Sequence, residues 1–465
     1  MCFYYLVPVK FTSAYSKFFK TFFPSPFTIA ILLSFVVFTL AYFVTSPKTD
    51  NHAGELLLYW RDGLWNKNGF EFTVQMMLML VLGHAIALSK SIQQLIYSTL
   101  KYYTDNISAV LVTLIFTLLV SYINWGLGLI FGAIIARQIG EHAARNNIPI
   151  NYALVGASGY IGLMVWHGGL SGSAPLKASE PDALSTMINN SDLISKISEV
   201  GVSETLGSAM NLTSIVLVFI FIPLLGWMLA KKSKPTVCPK FLLTKTTLKR
   251  EHREEEGAER IDRSFWFGRA ISLLLIILIY LDLQDKWTNN QSTFTPNFVN
   301  LCLLSTALLL HHSLSEFLAA CETAISGATG ILIQFPLYFG IMEVMRQSGL
   351  LQQIAQFFVE NSTENSFPIY TFFSAGLINL FVPSGGGQWS VQGPIIIETC
   401  LQQGWSLPKS IMALSYGDQL TNMLQPFWAI PLLSITELKA QQILPYTLLF
   451  LLAGIIIFGS VLLIF

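Results

Sequence analysis

Two apolar stretches, 107–140 and 367–400, are each too long for one membrane crossing, and each is broken near its middle by a glycine motif. The motifs are NWGLG at Asn124–Gly128 and PSGGG at Pro383–Gly387. A helix crosses a bilayer core with roughly 20 apolar residues. Proline removes a backbone donor there, and glycine packs nothing. Non-helical backbone survives at membrane depth only where protein or a water-filled cavity encloses it. A chain with two such faults must shelter both, and sheltered irregular backbone is where function is expected.

The rest of the sequence agrees with a membrane setting. Its 465 residues are 53% hydrophobic and only 12% charged, against about 25% charged in soluble domains. The predicted class is an all-α polytopic membrane protein in the lipid bilayer. Spans are read at 27–44, 72–89, 152–169, 210–229, 266–283, 296–312, 326–345, 408–431 and 443–464. Lys10, Lys17 and Lys20 precede the first run without a small-residue cleavage site, so that run is read as a membrane helix rather than a removed signal. The formal net charge is zero, which gives no bias toward nucleic acid. Cys2, Cys238, Cys302, Cys321 and Cys400 form no C-x-x-C pair and have no histidine cluster beside them, so neither a disulfide framework nor a metal site is expected.

Charge orients the chain. Segment 230–265 is its most basic connection and belongs on the cytoplasmic side. Counting nine spans and two re-entrant hairpins outward from it places the N-terminal lysines, Arg137 and Arg145 inside. Loop 171–208, with Glu180, Asp182, Asp192, Glu199 and Glu204 against only Lys177 and Lys196, falls outside. Both connections are read as solvated.

The two interrupted stretches superimpose. Asn124 to Pro149 and Pro383 to Pro408 both span 25 positions (149 − 124 and 408 − 383), and in that register Gly126 falls on Gly385, Gly128 on Gly387 and His167 on Pro426. Each proline leads into an apolar helix that breaks late, at MVWHGGLSGSAPL (Met164–Leu176) and MLQPFWAIPLL (Met423–Leu433). The predicted organisation is a first repeat, 1–229, of four spans plus hairpin 107–140. A charged linker, 230–265, and an extra span, 266–283, follow. The second repeat, 284–465, has four spans plus hairpin 367–400. One odd span inverts the second repeat, so the hairpins enter from opposite sides. Inverted repeats with discontinuous helices characterise secondary transporters.

Chemistry is expected at the breaks. Helix arms are predicted to start at Leu129 and Gln388, and a helix N-terminus binds anions without a cationic side chain. Gly126, Gly128, Gly385, Gly386 and Gly387 leave amides open to a substrate carboxylate, with Asn124, Ser384, Gln388 and His167 as polar contacts. The glycines also suit close helix packing. Trp125, Trp166 and Trp389 lie near the tips, as pocket walls or as packing aromatics. Asp418, Asn422 and Gln425 recur at i, i+4 and i+7 on one helix face. A carboxylate inside a span is usually functional. Asp418 can carry a proton or, with Asn422, hold Na⁺; a helix–helix hydrogen bond is its structural alternative. No arginine or lysine is read deep in a span, which favours a small monoanion. There is no G-x-S-x-G, no H-E-x-x-H and no paired intramembrane aspartate, so an intramembrane enzyme is not expected.

FVPSGGGQWSVQGP (Phe381–Pro394), MVWHGGLSGSAPL and SYINWGLGLIFGA (Ser121–Ala133) resemble the bacterial short-chain fatty acid transporter family. GDQLTNMLQP (Gly417–Pro426) is similar to the Gly-Asp…Thr-Asn…Pro signature of anion transporters in the wider ion transporter superfamily. The resemblance covers essentially the whole chain. It implies a multi-pass inner-membrane carrier of acetoacetate or butyrate, without a cofactor beyond a coupling H⁺ or Na⁺. It also implies paired re-entrant hairpins, a homodimer and elevator-like movement. The common superfamily arrangement has Ser-Asn-Thr at each tip, and this chain departs from it. A dicarboxylate or an amino-acid derivative is the alternative cargo.

Overall fold

The computed structural model describes residues 24–48, 50–92, 94, 105–180, 182–188, 191–194, 197, 200–237, 257, 259–288 and 296–465. Cys2, Lys10, Lys17, Lys20, Lys196, Glu199, Cys238 and linker positions 239–256, on which parts of the charge reading rest, lie outside the described residues. The first half runs α1 (Pro26–Val44), α2 (His52–Leu64), α3 (Lys67–Leu88), α4 (Asn106–Ile123), α5 (Trp125–Arg145), α6 (Tyr152–Tyr160), α7 (Ser173–Ala178) and α8 (Ala209–Lys232). After α9 (Phe265–Thr288) come α10 (Pro296–Leu310), α11 (Leu314–Ile325), α12 (Thr329–Gln347), α13 (Leu350–Glu360), α14 (Phe367–Asn379), α15 (Gly385–Gln403), α16 (Leu407–Thr421), α17 (Pro426–Thr436) and α18 (Ala440–Ile464). Among the described residues, seven helical stretches are long and apolar enough to cross a membrane. The protein is a multi-pass, helical membrane protein.

Both long apolar stretches fold as hairpins. A single residue, Asn124, separates α4 from α5, and five residues, Leu380–Ser384, separate α14 from α15. The predicted arm starts at Leu129 and Gln388 are corrected to Trp125 and Gly385. The reason is capping. The Asn124 side chain accepts from the Leu127 amide at 2.9 Å, and Ser384 Oγ accepts from the Gly387 amide at 3.2 Å. Each cap satisfies an orphan amide and pulls the glycines into the first helical turn.

Two expected spans are not continuous. Segment 152–169 leaves the α-helix after Tyr160, makes one tight turn over Ile161–Met164, and is irregular until α7. Segment 408–431 is α16 and α17 around a break at Asn422–Gln425. Gln425 therefore does not share a regular helix face with Asp418, contrary to the spacing argument.

The base of the first hairpin is tied to the start of the charged linker. Asn106 Nδ2 donates to the Ala230 carbonyl at 2.8 Å and to Ser233 Oγ at 3.0 Å. Pro149–Ile150 pairs antiparallel with Thr236–Val237. Hairpin one thus opens at the end of the molecule from which 230–265 leaves. Behind its tip, a Cβ on Gly132 would strike the Gly159 carbonyl, and one on Gly159 would strike the Gly132 carbonyl. Only glycines let α5 and α6 approach backbone to backbone.

Loop 171–208 is not a free connector. Ala174, Ala178, Leu184, Ile188, Leu193 and Val200 are buried against Trp389, Ile396, Ile397, Leu407, Ile411 and Leu414. Apolar side chains among its charges form a lid on the second hairpin, and Trp389 packs there rather than at the tips. Burying such a face stabilises by roughly 25 cal/mol per Å² of apolar surface. That far exceeds what scattered exposed charges contribute, which is why the charge count misled.

Candidate functional site

Both hairpin tips meet Trp166, in the irregular segment after α6. From the first tip, the Trp125 ring lies 6.0 Å from Trp166 and 5.2 Å from Trp428. From the second tip, a Cβ on Gly385 would come within 2.7 Å of Trp166 and 3.0 Å of the His167 ring. His167 stacks on Trp166 at 4.2 Å. The tips are thus held together through an aromatic pair in the break of α6.

Each helix break satisfies the other's stranded backbone. Where α6 ends, the amides of His167 and Gly168 lose their helical acceptors. Both donate to Gln419 Oε1 of α16, at 3.0 and 3.1 Å. Where α16 ends, the carbonyls of Asn422 and Gln425 fall outside the regular α-helix, the Asn422 carbonyl keeping a tight-turn bond from the Gln425 amide at 3.1 Å. Tyr160 Oη, on α6, donates toward both at 2.7 and 3.0 Å. Asn211 of α8 adds a bond to the Gly168 carbonyl at 2.9 Å and accepts from Tyr416 Oη at 3.1 Å. Unpaired backbone at this depth costs several kcal/mol per group, so two breaks with reciprocal side-chain donors and acceptors are far cheaper than two independent ones.

Asn379, the last residue of α14, gathers the ion-site candidates. Its Nδ2 donates to the Asp418 carbonyl at 2.8 Å and to Asn422 Oδ1 at 2.8 Å, while its own carbonyl accepts from Gln425 Nε2. The Asn422 and Gln425 side chains and the Asp418 backbone carbonyl meet at Asn379 through the break, not along a helix face. Gln388 of α15 donates to the Ala375 carbonyl at 2.9 Å and to Gln392 Oε1 at 2.8 Å.

His167 is fully buried. Its Nε2 accepts from the Ala174 amide at 3.0 Å, so in the neutral ring the proton is on Nδ1. Nδ1 faces Asp418 Oδ2 at 3.7 Å. This exceeds a hydrogen bond, and both atoms are without one. More buried polar atoms here share that condition, and they sort into two kinds. Trp166 Nε1, His167 Nδ1 and Asn422 Nδ2 are donors; Asn379 Oδ1, Gln388 Oε1, Asp418 Oδ2 and Gln425 Oε1 are acceptors. Native proteins leave few buried polar groups unpaired, so this grouping makes the break a candidate binding site.

The tip glycines differ. A Cβ on Gly126 would press on Met79, and one on Gly128 would strike Ser121; these two serve close packing. A Cβ on Gly387 would lie 3.0 Å from Ser384 Oγ. Gly386 is exposed, with nothing within 4 Å of where a Cβ would be. Of the five, Gly386 alone presents its first-turn backbone to open space. Tyr160, Gln419, Asn211 and Trp428 were not singled out from sequence. Gln419 stood out least fairly, as a polar residue beside Asp418 in an apolar run. The two aromatics and Asn211 carried no distinguishing pattern. Among the described residues, no three His, Cys, Asp or Glu side chains group to hold a metal ion.

The sequence profile described as "Short chain fatty acid transporter" matches residues 8–465. A protein of Escherichia coli (strain K12), named "Putative short-chain fatty acid transporter", is 34% identical over 446 residues, 95% of this chain and 96% of its own. A Haemophilus influenzae protein of the same name is 35% identical over 458 residues, 96% of this chain and 99% of its own. Among solved structures, the YdaH transporter of Alcanivorax borkumensis aligns over 94% of this chain and 98% of its own, with 16% identity and a TM-score of 0.42.

Proposed function

Because the chain belongs to the short-chain fatty acid transporter family, we propose that it is a secondary active carrier of short-chain monocarboxylates, of the acetoacetate or butyrate class, coupled to H⁺ or Na⁺ in the inner membrane. The observation that carries this reading is the sorting of unpaired buried atoms into donors and acceptors around one aromatic pair.

A carboxylate needs donors, and a proton or Na⁺ needs oxygens. In this reading the substrate carboxylate takes the Trp166 and His167 ring N–H groups and the first-turn amides at Gly385 and Gly386, where the helix dipole adds to the attraction. Ser384 holds that turn in shape. Asp418, with Asn422, Asn379 and Gln425, takes the coupling ion. The Asp418–His167 gap puts the ion and the substrate donor side by side, so loading one changes the field felt by the other. Trp125, Trp166 and Trp428 offer apolar surface to a short acyl chain. The absence of lysine or arginine from the described residues around the tips suits one negative charge better than two. The reading takes 1–229 and 284–465 as inverted repeats around the extra span, with a homodimer as the assembly.

Uptake of labelled butyrate into proteoliposomes tests it, with a pH gradient alone and a Na⁺ gradient alone. Accumulation is expected under one of them. No accumulation under either sinks the proposal. Stronger competition by a dicarboxylate or an amino-acid derivative than by unlabelled butyrate would move the cargo to that class.

A further inference from the structure

A second site is suggested away from the tips, toward the end where the linker leaves. A cavity of 450 Å³ opens there between α3, α5, the end of α11 and the end of α17. Its polar lining includes His84, Arg137, Gln138, Glu141, Ser434 and Glu437. Arg137 is the one lysine or arginine in that lining, and it is buried at 9% exposure. It lies within the first hairpin and projects from the middle of α5. Its guanidinium bonds Glu141 at 2.7 Å and Glu437 at 2.7 Å.

The two carboxylates are not equivalent. Glu141 is on the same helix, four residues on, with a side chain 13% exposed and a second contact to Arg145 at 3.5 Å. Glu437 has a side chain 51% exposed and makes one ion pair. It also sits just past the C-terminus of α17 with φ of 56°. A carboxylate is disfavoured at that end of a helix, and a non-glycine residue in the left-handed region is strained. Glu437 is therefore the partner that Arg137 can exchange.

Resting on the transport reading, we propose that this cavity is the linker-side vestibule for the substrate, and that Arg137 is its docking cation, occupied by Glu437 until a substrate carboxylate takes its place. The exchange swaps one carboxylate for another, so no net charge is buried. Glu437 is released into water it already half contacts. The bidentate geometry of guanidinium and carboxylate suits any short monocarboxylate, and the volume holds a four-carbon acid with water to spare. Docking on Arg137 would select for a carboxylate before it reaches the tips.

The test is Glu437→Gln, assayed with butyrate supplied from the linker side. If Glu437 competes for Arg137, its removal lowers KM by about two- to fivefold, the range of an ion pair with one half-exposed partner, with maximal rate little changed. A purely structural pair predicts lower thermal stability and an unchanged or higher KM, and that result overturns the proposal. A second measurement uses Gln138→Cys. Its labelling by a water-soluble thiol reagent from the linker side, above the background of the unsubstituted chain, is expected to slow with butyrate. No labelling, or labelling indifferent to saturating butyrate in a chain that still transports it, also overturns the proposal. Loss of butyrate uptake in the unsubstituted chain would instead count against the transport reading.

Discussion

The reciprocal bonding of the two helix breaks makes an asymmetric prediction. Gln419 Oε1 has two lone pairs and serves two amides, those of His167 and Gly168, at 3.0 and 3.1 Å. Tyr160 has one hydroxyl proton, which the carbonyls of Asn422 and Gln425 share at 2.7 and 3.0 Å. Gln419→Met keeps the side chain's length but strands two buried donors. Tyr160→Phe keeps the ring but removes one shared proton. A buried group left unpaired costs about 1–3 kcal/mol, so Gln419→Met should lose about 2–6 kcal/mol and Tyr160→Phe about 1–3 kcal/mol on the same scale. The ordering is firmer than either value, because it follows from counting lone pairs against protons. Denaturant unfolding of the purified protein in detergent, followed by tryptophan fluorescence, measures both; Trp166 sits beside the stranded amides. Equal losses, or a larger one for Tyr160→Phe, would refute the argument that each break is held by the other's side chain.

Other substitutions separate fold from function. Gly386→Val should abolish butyrate uptake while folded yield stays normal, since nothing lies within 4 Å of its Cβ position; normal uptake would make the open tip incidental. Gly132→Ala should instead lose folded protein, judged by size-exclusion chromatography, because its Cβ would strike the Gly159 carbonyl. Asp418→Asn should abolish gradient-driven accumulation and leave butyrate counterflow measurable; unchanged accumulation would remove Asp418 from ion coupling. Asp105 caps α4, its carboxylate accepting from the Ser108 amide at 2.8 Å. The Ser108 hydroxyl bond is the first cause holding that carboxyl below the usual aspartate range. Because the folded value is the lower one, the stabilisation is full above the ordinary aspartate range and fades as pH falls through the folded value. Asp105→Ala should cost about 1 kcal/mol near neutral pH and much less in acid, as measured by unfolding at both.

Much of the architecture was legible because membrane insertion leaves so few options. Long apolar runs had to be helices, and glycine motifs within them had to be tips. The hairpins and the broken helices follow from that constraint. What escaped was set partly by local caps and mostly by partners distant in sequence. Arm starts shifted by three or four residues because Asn124 and Ser384 cap them. Gln425 reached Asp418 through Asn379, not along a helix. Loop 171–208 looked solvated by its charges, yet its apolar residues found the second hairpin. Tyr160 and Gln419 carry no local pattern; their importance lies in groups more than two hundred residues away.

That separation has a consequence for biosynthesis. The amides of His167 and Gly168 emerge 252 and 251 residues before the oxygen that accepts them. At roughly 5–20 residues per second of synthesis, those donors wait on the order of 10–50 s within a nascent membrane domain. During that interval something else must solvate them, whether trapped water, lipid headgroups or the insertion machinery. The first half of this protein is thus committed to a provisional state that only the last fifty residues can resolve, and interruptions of translation between the halves should be answered by degradation rather than by a stable fragment.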